Sequence, residues 1–146
     1  MIYLVDIDGT VADLSHRRHF IEQKPKDWDG FFKAAADDKP IFEVITVIRA
    51  LHKAGNTIIN VSGRSEDIRD ITEAWLTKYR VPHCALYMRK SNDQREDNIV
   101  KSEILDQIIK DYPGNKIGGV FDDRNQVVDM FRARGLKVFQ VAPGDF

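Results

Sequence analysis

Two aspartates separated by one residue are the most informative feature of this 146-residue sequence. Asp6 and Asp8 lie in DIDGT, directly after the apolar run IYLV, which predicts a buried strand. A carboxylate at a strand end can serve as a nucleophile, as a general acid or base, or as an oxygen ligand of a divalent cation. Gly9 suits a tight turn whose backbone N–H groups can approach an anion, and Thr10 offers a hydroxyl to that anion or to the turn itself.

Polar residues also follow two later apolar runs. Ser62, Gly63 and Arg64 come after the second predicted strand and offer a hydroxyl, a backbone amide and a cation, a set suited to phosphate. Asp122 and Asp123 come directly after the fourth. The alternative interpretations are a cap of the following helix for the aspartates, and turn or surface roles for the serine and arginine.

These strand ends are expected to meet, because the carboxyl ends of parallel strands share one edge of a sheet. Four aspartates would then converge, and like charges within a few ångström repel one another. A divalent cation would relieve that repulsion. Carboxylate ligands without a histidine or cysteine set favour Mg²⁺ over zinc.

The elements that must position these residues can be predicted from hydropathy. Continuous apolar runs indicate strands covered on both faces, and i, i+3, i+4 spacing indicates helices between them. We therefore expect an α/β three-layer sandwich with a central parallel, Rossmann-like sheet, forming one domain over residues 1–146 with a small flap within residues 12–40 and no large cap. The predicted strands are Ile2–Asp6, Thr57–Ser62, Ala85–Met88, Gly119–Phe121 and Lys137–Val141, and the predicted helices span 41–55, 65–79, 99–112 and 125–134.

Composition excludes several classes of protein. The 22 basic and 23 acidic side chains nearly cancel, which removes the argument for a strongly basic nucleic-acid-binding surface but leaves room for a local basic groove. No apolar run is long enough to cross a bilayer, so we expect no membrane partner. The one cysteine, Cys84, cannot form an internal disulfide, and a reducing cytoplasm is the expected compartment.

The order of the motifs DIDGT, SGR, a downstream lysine (Lys101) and DD resembles that of the haloacid dehalogenase (HAD) superfamily. Residues 122–146 and REDNIVKSEI (95–104) further resemble the phosphatase domain of bacteriophage polynucleotide kinase–phosphatases. Arg17, eleven residues after Asp6, lies where that domain carries a functional arginine. No GxxxxGK[ST] motif occurs in the chain, so we expect no kinase activity from it, and a separate kinase partner is left open.

The resemblance implies a set of roles. Asp6 would be the nucleophile that becomes an aspartyl-phosphate, and Asp8 the general acid and base. Lys101 would neutralise charge beside the nucleophile, although its place in the first turn of a helix also fits an ordinary solvated lysine. Mg²⁺ would be held by Asp6, the backbone carbonyl of Asp8, Asp122 and Asp123, while the residues predicted to contact phosphate are Gly9, Thr10, Ser62, Gly63 and Arg64.

Substrate choice depends on access to the site. In this superfamily a cap domain inserted after the first or second motif encloses small substrates, but only 30 residues separate Thr10 from Ile41 and 36 separate Arg64 from Lys101. An open site favours a polynucleotide 3′-phosphate. The alternatives are a nucleotidase or small-molecule phosphatase and, from another class, a non-catalytic nucleic-acid-binding module, against which the Asp6/Asp8 pair argues. The oligomeric state is left open.

Two groups of residues outside the motifs bear on that choice. Five basic side chains either contact substrate phosphates or are ordinary surface charge, with the best positional support for Arg17. Three aromatic residues of the flap either pack it or stack on a base, and packing is favoured. The basic residues are Arg17, Arg18, Arg89, Lys90 and Arg95, and the aromatic ones Trp28, Phe31 and Phe32.

Overall fold

The computed structural model describes residues 1–146. Five strands form a parallel sheet, and the two others form a short antiparallel pair. The strands are β1 (Ile2–Val5), β2 (Ala12–Asp13), β3 (Lys39–Pro40), β4 (Thr57–Ser65), β5 (Ala85–Arg89), β6 (Ile117–Asp122) and β7 (Val138–Gln140). The order across the large sheet is β5-β4-β1-β6-β7, so the carboxyl ends of β1, β4 and β6 are neighbours at one edge.

Helices cover both faces of this sheet, as the continuous apolar strands require. Buried side chains of α3 and α4 pack on one face, and those of α5 and α6 pack on the other. The predicted three-layer α/β sandwich is confirmed. The helices are α1 (His19–Glu22), α2 (Trp28–Lys33), α3 (Phe42–Lys53), α4 (Arg69–Lys78), α5 (Asp97–Asp111) and α6 (Asn125–Ala133), with 3-10 turns at Ser15–Arg17, Ala34–Asp37 and Glu66–Ile68. None of these helices is long and apolar enough to span a membrane.

The ends of β1 and β4 differ from the prediction, and both lie where an apolar run is followed by polar residues. β1 ends one residue early, at Val5, and β4 runs three residues further, to Ser65. The pairing of β4 with β5 shifts register between Val61 and Ser65, the stretch that contains SGR. The helix predicted from Ser65 begins as a 3-10 turn, where the Ser65 hydroxyl accepts from the Asp67 N–H.

The flap segment, residues 12–40, has little regular structure. β2 and β3 close its base, and α1, α2 and two 3-10 turns lie between them. Its aromatic residues pack together: the Trp28 ring lies 5.9 Å from that of Phe32 at an interplanar angle of 26°, and Phe31 is buried beside both. The favoured interpretation, that these rings pack the flap, agrees with these contacts.

Candidate active site

Asp6 lies directly beyond β1, at the carboxyl edge of the sheet. Its N–H donates to the Phe121 carbonyl of β6 at 2.9 Å, which fixes its backbone between neighbouring strands. Its carboxylate accepts from Lys101 Nζ at 2.9 Å on Oδ1 and from the Thr10 hydroxyl at 3.1 Å on Oδ2. All three residues are buried, so Asp6 is held on both oxygens by groups that cannot exchange freely with water.

Asp6, Asp122 and Asp123 form a buried acidic cluster. One carboxylate oxygen of each lies within 4.8 Å of the others. Lys101 Nζ also donates to Asp122 Oδ2 at 2.8 Å, so two of the three carboxylates share a single ammonium group. The oxygen donors and the excess negative charge fit a hard divalent cation such as Mg²⁺. The expected convergence of four aspartate side chains is therefore wrong, because the Asp8 carboxylate is absent from this cluster.

The electrostatics of the acidic cluster follow from burial and like charge. Burial, and then the neighbouring charge of Asp122, raise the pKa of Asp6 well above its ordinary value. The same two causes raise the pKa of Asp123. Burial would lower the pKa of Lys101, but Asp122 and Asp6 outweigh it and raise that pKa. The cluster thus favours uptake of a positive charge, as a proton or as a metal ion.

Gly9 is required by the close approach of the turn to this cluster. Its φ of +79° lies in the left-handed region, and a Cβ there would lie 2.1 Å from Asp123 Oδ2. Its N–H, predicted to face an anion, donates to the Ala12 carbonyl at 2.8 Å. The Thr10 hydroxyl, predicted to face phosphate or the turn, donates instead to Asp6. Both residues therefore shape the turn that places Asp6.

The Asp8 carboxylate faces two arginines. Oδ1 accepts from Arg17 Nη2 at 2.9 Å and from Arg64 Nη2 at 2.7 Å. Both guanidinium groups are buried, whereas the Asp8 side chain is 32% exposed. Burial would raise the pKa of Asp8, but Arg64 and then Arg17 outweigh it and hold that pKa below its ordinary value. Asp8 is the acidic side chain of DIDGT that solvent can reach.

Asp38 balances these two arginines, and sequence reasoning missed it. This fully buried carboxylate accepts from Arg17 Nε at 2.7 Å and from Arg64 Nη2 at 2.9 Å. His16 Nε2 lies 2.7 Å from the same carboxylate, and Trp75 Nε1 donates to the Asp38 carbonyl at 2.9 Å. Asp8 and Asp38 together match the two guanidinium charges. Only the tertiary fold brings these residues together.

Ser62 and Gly63 lie where β4 departs from regular pairing. The buried Ser62 hydroxyl accepts from the Arg64 N–H at 3.1 Å. A Cβ on Gly63 would lie 2.3 Å from Asp97 Oδ1, so Asp97 packs directly against this backbone. Asp97 accepts from Arg124 Nη1 at 3.1 Å. Sequence reasoning missed it, although its position one helical turn before Lys101 in DNIVK was a usable signal.

The basic residues proposed as phosphate contacts have varied surroundings. Arg17 is 1% exposed and Arg89 donates to Asp97, so neither offers a free guanidinium. Arg95 pairs with Asp93 and Glu103. Arg18 and Lys90 are exposed and make no side-chain hydrogen bond. Arg64, assigned to phosphate from the sequence, has its donors on Asp8, Asp38 and Thr72.

Comparison with known proteins agrees with this geometry. The family model described as "Polynucleotide kinase PNKP phosphatase domain" matches residues 1–146. A chain of the Pnkp1/Rnl/Hen1 complex shares 34% identity over 99% of this chain and 47% of its own length, with a TM-score of 0.83. A chain of the Pnkp1/Rnl/Hen1 RNA repair complex shares 33% identity over 99% of this chain and 43% of its own length, with a TM-score of 0.82.

This chain thus spans less than half of the length of either of those two chains. The class C acid phosphatase from Bacillus anthracis shows the same fold at 19% identity, covering 98% of this chain and 66% of its own, with a TM-score of 0.69. The expected resemblance is confirmed: this chain belongs to the polynucleotide kinase PNKP phosphatase domain family, a group of HAD-type phosphatases.

Proposed function

We propose that this phosphatase domain removes the 3′-phosphate from polynucleotide ends, with Mg²⁺ as cofactor and Asp6 as nucleophile. The observation that carries the proposal is the Asp6 carboxylate, bonded to Lys101 and Thr10 and lying within 4.8 Å of two further carboxylates. An aspartate in a purely structural role would not need this concentration of buried charge, which costs folding free energy.

The reaction would proceed in two steps at Asp6. One oxygen of Asp6 attacks phosphorus in line with the ester oxygen, forming an acyl phosphate as the P–O ester bond breaks. Asp8 gives its proton to the departing 3′ oxygen. Asp8 then takes a proton from a water molecule, and this water attacks phosphorus, releasing phosphate and restoring the Asp6 carboxylate.

Asp8 suits both halves of this cycle. Its partial exposure lets it reach a leaving group and water, while Arg17 and Arg64 hold its orientation. With the site empty, the two arginines favour the ionised carboxylate, which is the form needed to accept a proton from water. A phosphoryl dianion beside Asp8 opposes the field of the arginines and so favours the protonated acid before the ester bond breaks.

The remaining residues would neutralise and hold the phosphoryl group. Asp6, Asp122, Asp123 and the Asp8 carbonyl are the groups that would hold Mg²⁺, which would supply positive charge to offset that of the phosphoryl group. Lys101 neutralises charge on Asp6 as the acyl phosphate forms. The Ser62 hydroxyl and the backbone at Gly63 would donate to phosphoryl oxygens. Arg64 would add at most the second N–H of Nη1, because its other donors are on Asp8, Asp38 and Thr72.

The polynucleotide substrate is supported by family membership and by the absence of a large cap over Asp8. By analogy with the related chains of an RNA repair complex, we propose a place in nucleic-acid repair. A nucleotidase is the second candidate, because the internal pairing of Arg89 and Arg95 leaves few free cations for a polymer.

The test compares turnover of a 3′-phosphorylated oligonucleotide, the matching 3′-mononucleotide and p-nitrophenyl phosphate, each with Mg²⁺ and with chelator. The proposal expects the oligonucleotide to have the highest kcat/KM, and chelation or Asp6→Asn to abolish turnover of all three. Faster turnover of the mononucleotide would move the assignment to the nucleotidase. Full activity of a folded Asp6→Asn protein would end the covalent mechanism.

A further inference from the structure

Trp28 is half-exposed and packs against the rings of Phe31 and Phe32. At the start of α2 it is 48% exposed, although its ring is stacked with that of Phe32 and meets the Phe31 ring edge-on, both at 5.9 Å. Trp75, the second tryptophan, is 2% exposed and hydrogen-bonded. Packing of the flap explains the buried part of Trp28 but not the half of this residue that is left in solvent.

The Phe31 ring also contacts an arginine of the candidate active site. The Arg17 guanidinium lies 4.3 Å from the centroid of the Phe31 ring, and the same arginine donates to Asp8 at 2.9 Å. Trp28 therefore packs against Phe31, which lies against Arg17. Arg17 in turn holds the proposed general acid, Asp8. Through these contacts the exposed indole belongs to the same packed unit as the solvent-facing Asp8 side chain.

Charge alone would hold a strand poorly on this segment. Lys26 Nζ lies over the Trp28 ring, 5.6 Å from its centroid, so a base that stacks on the indole would displace this flexible side chain and leave it free to contact a phosphate. The exposed charges of the segment nearly cancel, however, so most of the affinity must come from an uncharged contact. They are Arg18, Lys24, Lys26, Lys33 and Lys39 against Asp13, Glu22, Asp29 and Asp37.

We propose that Trp28 is a stacking platform for a nucleobase upstream of the 3′-terminal nucleotide of a single-stranded polynucleotide, an inference that rests on the proposed function. Base stacking on an aromatic side chain tolerates any sequence, which suits an enzyme that acts on ends. The platform would give a polymer an advantage over a mononucleotide without a cap domain and without a basic groove.

Fluorescence tests the contact without turnover. Acrylamide should quench Trp28 and spare the buried Trp75. A 3′-hydroxyl decathymidylate should protect Trp28 from acrylamide, while thymidine 3′-monophosphate and a decamer without bases near its 3′ end should not. Trp28→Phe should abolish the protected signal. A saturating decamer that leaves Trp28 fully accessible would overturn the proposal.

Kinetics tests the consequence. Trp28→Ala should raise KM for a 3′-phosphorylated decamer, relative to KM for p-nitrophenyl phosphate, by about 10-fold. Trp28→Phe should keep this KM ratio close to that of the wild type, because a phenyl ring can also stack on a base. Phe139→Ala is the matched control, because Phe139 is 50% exposed and stacked on Phe121 on the outer strand β7. Removal of bases from the substrate should reproduce the Trp28→Ala effect in the wild type and add nothing in the variant.

The outcomes separate the two proposals. If the wild type does not hydrolyse the decamer 3′-phosphate, the proposed function fails. If it does, and Trp28→Ala changes the KM ratio no more than Phe139→Ala, only the stacking platform fails. Should Trp28→Ala not fold, the Trp28→Phe protein and the acrylamide experiment give the answer.

Discussion

Removal of Mg²⁺ should destabilise the folded domain, because the acidic cluster exists only in the folded state. Asp6, Asp122 and Asp123 bring carboxylate oxygens within 4.8 Å of one another. Two full charges at that separation repel by about 3 kcal/mol at an effective dielectric constant of about 20. Lys101 offsets part of this repulsion, and protonation of Asp6 or Asp123 offsets more.

The expected magnitude follows from binding linkage. At about 100 times its dissociation constant, Mg²⁺ would add about 2.7 kcal/mol to the free energy of unfolding. For a domain of this size, that raises Tm by roughly 5–10 °C. The assay is thermal unfolding followed by circular dichroism, with chelator and with increasing Mg²⁺ at constant ionic strength.

Asp123→Asn gives the matched variant. Asp123 has no hydrogen bond from Lys101, and burial and then Asp122 raise its pKa, so its ionised form is disfavoured in the chelated protein. The chelated variant should therefore melt above the chelated wild type, yet respond less to Mg²⁺. An equal Mg²⁺ response in the two proteins, or no response in the wild type, would refute the metal site.

Three further predictions concern single residues. Asp6→Asn should abolish turnover and keep the fold, because an amide cannot form the acyl phosphate; activity assays and circular dichroism check this. Arg17→Ala should cost similar factors in kcat on an oligonucleotide 3′-phosphate and on the matching 3′-mononucleotide, which have the same kind of leaving group, since the buried guanidinium orients Asp8, and a loss confined to the oligonucleotide would contradict it. Burial would raise the pKa of Asp97, but Lys101 and Arg124 outweigh it and lower that pKa. The ionised Asp97 carboxylate therefore stabilises the fold above about pH 4, and this stabilisation is lost as the pH falls through the folded-state pKa. Urea unfolding at pH 7 should thus separate Asp97→Asn from wild type more than at pH 3, and a larger gap at pH 3 would refute the sign.

The layered fold could be predicted because its cause is local. The central strands contain apolar runs, such as IYLV before Asp6, and a strand with this pattern must be covered on both faces. The flap segment could not be predicted in detail. Its helices have only four and six residues, and tertiary contacts such as the burial of Phe31 decide where they lie.

The part of the site that strand ends position could be predicted, and the part that depends on tertiary contacts could not. Asp6 directly follows β1, and Asp122 and Asp123 lie at the end of the neighbouring β6, so sheet topology alone brings them together. Asp8 was assigned to the same carboxylate cluster, but the chain turns at Gly9 and the Asp8 side chain faces arginines instead. Asp38 was out of reach, because its partners lie 21 and 26 residues away along the chain and no strand end marks it.

The central claim is tested most directly with one oligonucleotide that carries a phosphate at each end. With Mg²⁺, the domain should release the 3′-phosphate and leave the 5′-phosphate in place, giving a single product with a 3′-hydroxyl. Release of the 5′-phosphate at a similar rate, or an intact oligonucleotide under conditions where thymidine 3′-monophosphate is hydrolysed, would contradict a polynucleotide 3′-phosphatase.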